Sequence, residues 1–238
     1  HAKESRRNDF QFFRQEFNIR AHEALRIESR LRQGFARHEF ELVYQPVIDT
    51  ETAAVVSAEA LLRWPAMNAT PERFIPVAEK AGFMWTLGNW VVREACRQQR
   101  EWRDSGLPAF PVAVNVSPVQ FRQKQFAHSV HAALDEARLD AHDLRMEVTE
   151  STVMRDADEA ADVLHELQHM GVKVALDDFG TGYSSLSYLS RLPIDILKLD
   201  QSFVNDLTKD ADDEAITTTI ISMGHSLGLN VVAEGVEN

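Results

Sequence analysis

Short apolar runs alternate with longer amphipathic stretches along most of this chain, and that alternation limits the fold more than any other feature. Strand-like runs lie near 41–48, 53–62, 111–117, 144–149, 172–177, 195–199 and 230–234. Helical stretches with a 3.6-residue apolar rhythm occupy 85–103, 122–138, 156–170 and 212–227. The later runs are separated by crossover-length segments suited to parallel strands, whereas the first two lie close enough for an antiparallel hairpin. Strand followed by helix, repeated, makes either an open doubly wound sheet or a closed barrel, and both bind ligands at the carboxyl ends of their strands. No Gly-x-Gly-x-x-Gly follows the first run, which disfavours a dinucleotide cofactor. A chain of 238 residues suits one barrel, and the seventh run ends just before Asn238. The expected fold is therefore α/β, a TIM-like (β/α)8 barrel without its last strand and helix. Ahead of it, residues 20–38 place Ile27, Leu31 and Phe35 at i, i+4 and i+8, the pattern of an amphipathic helix. The expected division is a linker and lead-in helix over 1–38 and a barrel over 39–238.

Charge narrows the function. A formal net charge of −12 opposes wrapping long nucleic acid, because such binding rests on Lys and Arg neutralising phosphates. A small phosphate substrate is compatible with that charge if local cations or bound metal offset the acidic field. No apolar run approaches the ~20 residues that cross a bilayer, and the first residues lack the order of a signal peptide. A cytoplasmic domain is expected, within a parent protein free to be membrane-anchored. Cys96 is the single cysteine and sits in the helical stretch beside Val92, which predicts a buried structural thiol.

The polar residues inside the apolar strands carry the most information. Glu59 lies in the second strand, Asn115 ends the third, Glu147 lies in the fourth, Asp177 and Asp178 end the fifth, Lys198 lies in the sixth and Glu234 ends the seventh. A charge among Val, Leu and Ala costs several kcal/mol unless it is paired or metal-bound. Scattered salt bridges explain any one of these residues about as well as a site does, but not the whole set. Oxygen donors without sulfur suit Mg²⁺ or Mn²⁺, and adjacent Asp177 and Asp178 suit a pair of ions.

The same residues lie in motifs that resemble a known family. EALLRW at 59–64 is similar to the signature of the EAL domain, a cyclic di-GMP phosphodiesterase family. NVS at 115–117, EVTES at 147–151, DDFGTGYSSL at 177–186, KLD at 198–200 and AEGVE at 233–237 resemble the family's remaining motifs in order. The resemblance implies that Glu59, Asn115, Glu147 and Asp177 bind one metal ion and that Asp177 and Asp178 bind a second. It implies that Lys198 and Glu234 hold the attacking water, that Arg63 grips a phosphate oxygen, and that Gln45 and the backbone near Leu61 and Leu62 contact substrate. Glu150 would fix the DFGTGYSSL loop, a segment that also helps form homodimers in relatives. The implied reaction is metal-dependent hydrolysis of cyclic di-GMP to linear pGpG, with a non-hydrolysing cyclic di-GMP receptor as the alternative. NDFQFF and the helix after it resemble the link to an upstream GGDEF domain, so GGDEF or sensory domains are expected in the parent chain. Two departures stand out: the family's carboxyl-terminal strand with its Gln-Gly motif is absent, and Pro65-Ala66-Met67-Asn68 replaces its usual His-Pro segment.

Other motifs carry less. HELQH at 165–169 matches the zinc-protease pattern, but Val163, Leu164, Leu167 and Met170 form that helix's apolar stripe and leave His165 and His169 toward solvent. His128 and His131 are expected on a solvated face. The GTG at 180–182 lacks the Gly-Lys-Ser/Thr of a phosphate loop and is expected to be a mobile turn, and Asn68-Ala69-Thr70 is a chance glycosylation match.

Overall fold

The computed structural model describes residues 21–180, 186–189, 191–205 and 211–236. They form two compact units, one of residues 21–43 with Leu62–Leu87 and one of Tyr44–Leu61 with the chain from Gly88 onward.

In the smaller unit, helix α1 (21–36) buries Ile27 and Leu31 one turn apart, as the rhythm predicts. Phe40 stacks on Trp64 with ring centroids 4.6 Å apart, and Phe74 meets both rings edge-on. The Trp64 indole N–H donates to Glu39 at 3.1 Å. Phe74 comes from α2 (Pro71–Lys80), a helix that starts with Pro71 at its first position and carries Pro76 inside.

The larger unit carries the sheet. Strands β1 (Glu41–Ile48), β2 (Val55–Arg63), β3 (Val112–Asn115), β4 (Leu144–Thr149), β5 (Lys173–Phe179), β6 (Ile196–Leu199) and β7 (Asn230–Ala233) lie side by side in chain order. From β2 onward every neighbouring pair is parallel. Adjacent β1 and β2 are joined by a short turn closed by Asp49 N–H to Ala54 C=O at 2.9 Å, a link that only a hairpin permits. The Asp49 carboxylate accepts from Thr52 N–H at 2.8 Å and Thr52 Oγ1 at 2.7 Å, fixing that turn. Consecutive parallel order with helical crossovers is the arrangement of a TIM-like barrel, here seven strands of it.

The crossovers are α3 (Met84–Asp104), α4 (Pro118–Phe121), α5 (Phe126–Ala137), α6 (Glu150–Met154), α7 (Ala157–Met170), α8 (Leu186–Leu189), α9 (Gln201–Asn205) and α10 (Ala211–Ser226). The helical rhythm over 122–138 corresponds to α5 alone, which begins only at Phe126; ahead of it Ser117 caps the one-turn α4, with Pro118 at its start. Helix α7 is capped by Asp156, ends at left-handed Gly171, and buries Leu164 and Leu167 while His165 and His169 stay exposed. His128 and His131 are exposed too. Cys96 is buried, and that burial pushes its thiol up to about 12, so it is no nucleophile. Among the described residues no helix is long and apolar enough to cross a membrane.

Candidate active site

Strand register explains why the polar residues meet. Side chains alternate faces along a strand, and residues paired across a parallel ladder share a face. Asn115 pairs with Glu147, and Ala113, two residues before Asn115, pairs with Glu59. Thr149, two after Glu147, pairs with Asp177; Lys198 pairs with Val232, two before Glu234. Ala175 on the row of Glu147 pairs with Ile196, two before Lys198. Glu59, Asn115, Glu147, Asp177, Lys198 and Glu234 therefore project from one face, near the carboxyl ends of their strands. Asp178 breaks the alternation. Its φ is 54°, and the β5–β6 register shifts between Leu176 and Phe179, so the backbone turns at the residue after Asp177.

Lys198 is the hub. Its ammonium lies 2.7 Å from Glu147 Oε2, 2.7 Å from Glu234 Oε1, 3.3 Å from Asp177 Oδ1 and 3.5 Å from Glu59 Oε2. Lys198 is 3% exposed, a burial tolerable only because so many acids surround it. Asn115 Nδ2 donates to Glu59 Oε1 at 2.7 Å, and Asp178 N–H donates to Asp177 Oδ1 at 3.0 Å. Burial opposes the charge of Lys198, but Glu147, Asp177, Glu59 and Glu234 outweigh it and hold the lysine above its usual range. One ammonium cannot satisfy four carboxylates. Burial, reinforced by Glu59 and Asp177 against the pull of Lys198, pushes Glu147 up to about 8. Burial also raises Glu234, despite Lys198 beside it. Asp178 is raised by burial, then by Asp177 and Asp200. Asp200 is a member of this electrostatic cluster that sequence reasoning missed as a site residue, although the KLD motif contains it.

Glu150, at the start of α6, is buried at 3% exposure, and its Oε2 accepts the Gly180 N–H at 3.1 Å. Residues 181–185, the centre of the DFGTGYSSL loop and of the expected turn and dimer segment, lie outside the described residues. Gln45 is exposed on β1, and Leu61 is half-buried near the end of β2. Leu62 and Arg63 belong to the smaller unit, where Arg63 Nη1 donates to the Leu62 carbonyl at 3.0 Å.

Among the described residues, one group brings three potential metal donors within 4.8 Å of one another: Asp140, His142 and Asp143. It precedes β4, at the opposite end of that strand from Glu147. Its acids already serve structure, since Asp140 and Asp143 form a capping box and Asp143 accepts from Arg103 at 2.5 Å.

Comparison with known proteins agrees with this geometry. The EAL domain family matches residues 28–238, and the chain belongs to that family. It is 45% identical over 240 residues to the bifunctional diguanylate cyclase/cyclic di-GMP phosphodiesterase MucR of Pseudomonas aeruginosa, covering 100% of this chain and 35% of that protein. It is 41% identical over 239 residues to the cyclic di-GMP phosphodiesterase NbdA of the same organism, covering 99% of this chain and 30% of the relative. The chain thus spans about a third of the length of these relatives. Among solved structures, the MucR phosphodiesterase in complex with c-di-GMP superposes with a TM-score of 0.86 at 45% identity, covering 90% of this chain and 87% of that one. The EAL enzyme Bd1971 bound to cAMP and cyclic di-GMP superposes with a TM-score of 0.85 at 30% identity, covering 92% and 61%.

Proposed function

We propose that this chain is the hydrolytic domain of a metal-dependent phosphodiesterase that opens cyclic di-GMP to linear pGpG. The observation that carries the reading is the set of four carboxylates gathered on one lysine at the strand ends, with Asp178 next to one of them in the chain. Relatives named for this activity share its sequence along the whole chain.

The donor set fits divalent metal. Four carboxylates around one ammonium, with Asp178 adjoining, leave a surplus of negative charge that divalent cations would offset. All donors are oxygens, which suits Mg²⁺ or Mn²⁺. Glu59, Asn115, Glu147 and Asp177 would hold one ion, and Asp177 with Asp178 the other. Divalent ions held there would supply Lewis acidity toward a phosphate oxygen and a bound water. The chain's own residues do the rest. Lys198 and Glu234, 2.7 Å apart, orient the attacking water through a fixed donor and acceptor. Glu150 holds the backbone that follows Asp178. Gln45, the backbone near Leu61 and Leu62, and Arg63 are assigned to substrate on the family pattern, with Arg63 on a phosphate oxygen. Residues 1–38 serve as lead-in and 39–238 as the barrel, within a parent protein that carries GGDEF or sensory domains and acts as a homodimer.

Incubation with cyclic di-GMP and Mg²⁺ or Mn²⁺, followed by chromatography, tests this directly. Production of pGpG that stops in excess chelator is the expected result. Calorimetric binding without product would support the receptor reading instead.

A further inference from the structure

Gly180 follows the acid pair by two residues and has φ +97°, so the backbone from Asp178 to Gly180 includes two left-handed positions. Such a turn persists only where its surroundings over-determine it. Glu150 restrains it through the Gly180 N–H. The other face of Gly180 is closed by the Phe203 ring: a Cβ at Gly180 would stand 2.8 Å from Phe203 Cε2, 3.0 Å from Cζ and 3.5 Å from Ile220 Cδ1. Phe203 is itself anchored. Its N–H donates to the Asp200 carbonyl at 3.1 Å, and its carbonyl lies 3.4 Å from the hydroxyl of buried Thr217 on α10.

We propose that Phe203 is a positioning residue for Asp178: its ring, backed by α10, clamps Gly180 against the Glu150 carboxylate and so holds the left-handed turn that aims Asp178 into the acid cluster. The inference rests on the hydrolytic reading for its catalytic consequence, but the clamp itself is a statement about Gly180. Freeing the ring side leaves the acid in the chain and its charge intact while loosening its aim. Catalysis is more sensitive to such misplacement than substrate binding is.

The test compares Phe203→Leu and Phe203→Ala with Phe126→Leu, a core change outside the site that sets the effect of lost packing alone. Phe203→Ala is expected to speed amide exchange at ¹⁵N-labelled Gly180 about 10-fold and to lower kcat about 10-fold, with KM changing less than about 3-fold. Phe203→Leu should fall between it and the parent. Phe126→Leu should lower Tm without moving the exchange or kcat. Gly180→Ala should impair turnover, since the φ of +97° strains any side chain there and the new methyl would meet the Phe203 ring. The proposal is overturned if Phe203→Ala lowers Tm as Phe126→Leu does while Gly180 exchange and kcat stay at parental values. If the parent protein releases no pGpG, the hydrolytic reading fails, and Gly180 exchange alone then decides for or against the clamp.

Discussion

Replacing Lys198 with Met removes the one cation buried among Glu147, Glu234, Asp177 and Glu59 while keeping most of the side-chain volume. At an effective dielectric of about 20, a pair at ~3 Å is worth roughly 5 kcal/mol before desolvation. Burial of the charges takes back several kcal/mol per ion, so the gross sum is not the loss. What remains is the penalty of leaving acids buried without a partner, about 3–5 kcal/mol. For a protein of this size that corresponds to a Tm lower by roughly 6–20 °C. The penalty should be largest at alkaline pH, because below it the acids can neutralise themselves by protonation, beginning with Glu147, already pushed up to about 8. Thermal unfolding of parent and Lys198→Met protein in excess chelator, at pH 5.5 and pH 8, measures this. Repeating the scan with saturating Mg²⁺ or Mn²⁺ should shrink the difference, since metal offsets the same charge. An unchanged Tm in chelator, or a deficit that metal leaves untouched, would refute both the hub role of Lys198 and the assignment of these acids to metal.

The remaining predictions concern single groups. In chelator, the parent protein should itself lose stability as pH rises from about 4.5 through about 8, because Glu147 binds its proton more tightly folded than unfolded; denaturant titrations across that window should show a falling midpoint, and a rising one contradicts the assignment. Asp178→Asn should cut pGpG release by about 100-fold or more while calorimetric affinity for cyclic di-GMP changes far less; equal loss of both in a folded protein would make Asp178 a binding residue. Glu150→Ala should lower kcat and accelerate Gly180 exchange, and a parental rate with parental metal response would remove its loop-holding role. Helix propensity alone predicts that Gly88→Ala stabilises α3 by about 1 kcal/mol. The structure predicts the opposite sign, about 1–3 kcal/mol of destabilisation, because the new Cβ would lie 2.1 Å from Oε1 of fully buried Gln120; a raised Tm would show that Gln120 can move aside.

The strands were legible because their period and their β-branched residues coincide: the runs at 41–48 and 144–149 match β1 and β4 to the residue. Helix α2 was not, since Pro76 interrupts its pattern even though Pro71 marks its start. The one-turn helices α4, α6, α8 and α9 are too short for a period to register. In the site, acids inside apolar strands announced themselves through the cost of burying charge. That Lys198 would stand at their centre required knowing which strands are neighbours, and neighbour order is not a local property of sequence. The turn of Asp178 depends on a positive φ and a register shift, neither of which leaves a pattern in side-chain type. The ion pair between Asp143 and Arg103 was likewise silent, because it joins residues that are far apart in the sequence.

The left-handed backbone at Asp178 bears on how such a domain changes over evolutionary time. Few residues accept that conformation without strain: glycine, asparagine and aspartate do so most readily. A longer acid there would keep the charge but strain the turn, whereas asparagine keeps the turn and discards the charge. On the role proposed for Asp178, the substitutions that the fold accepts most easily there are therefore ones that would silence hydrolysis and spare the architecture. On the proposed function, a domain built this way lies a single mutation from a receptor, and drift at this one position would turn an eraser of the signal into a reader of it.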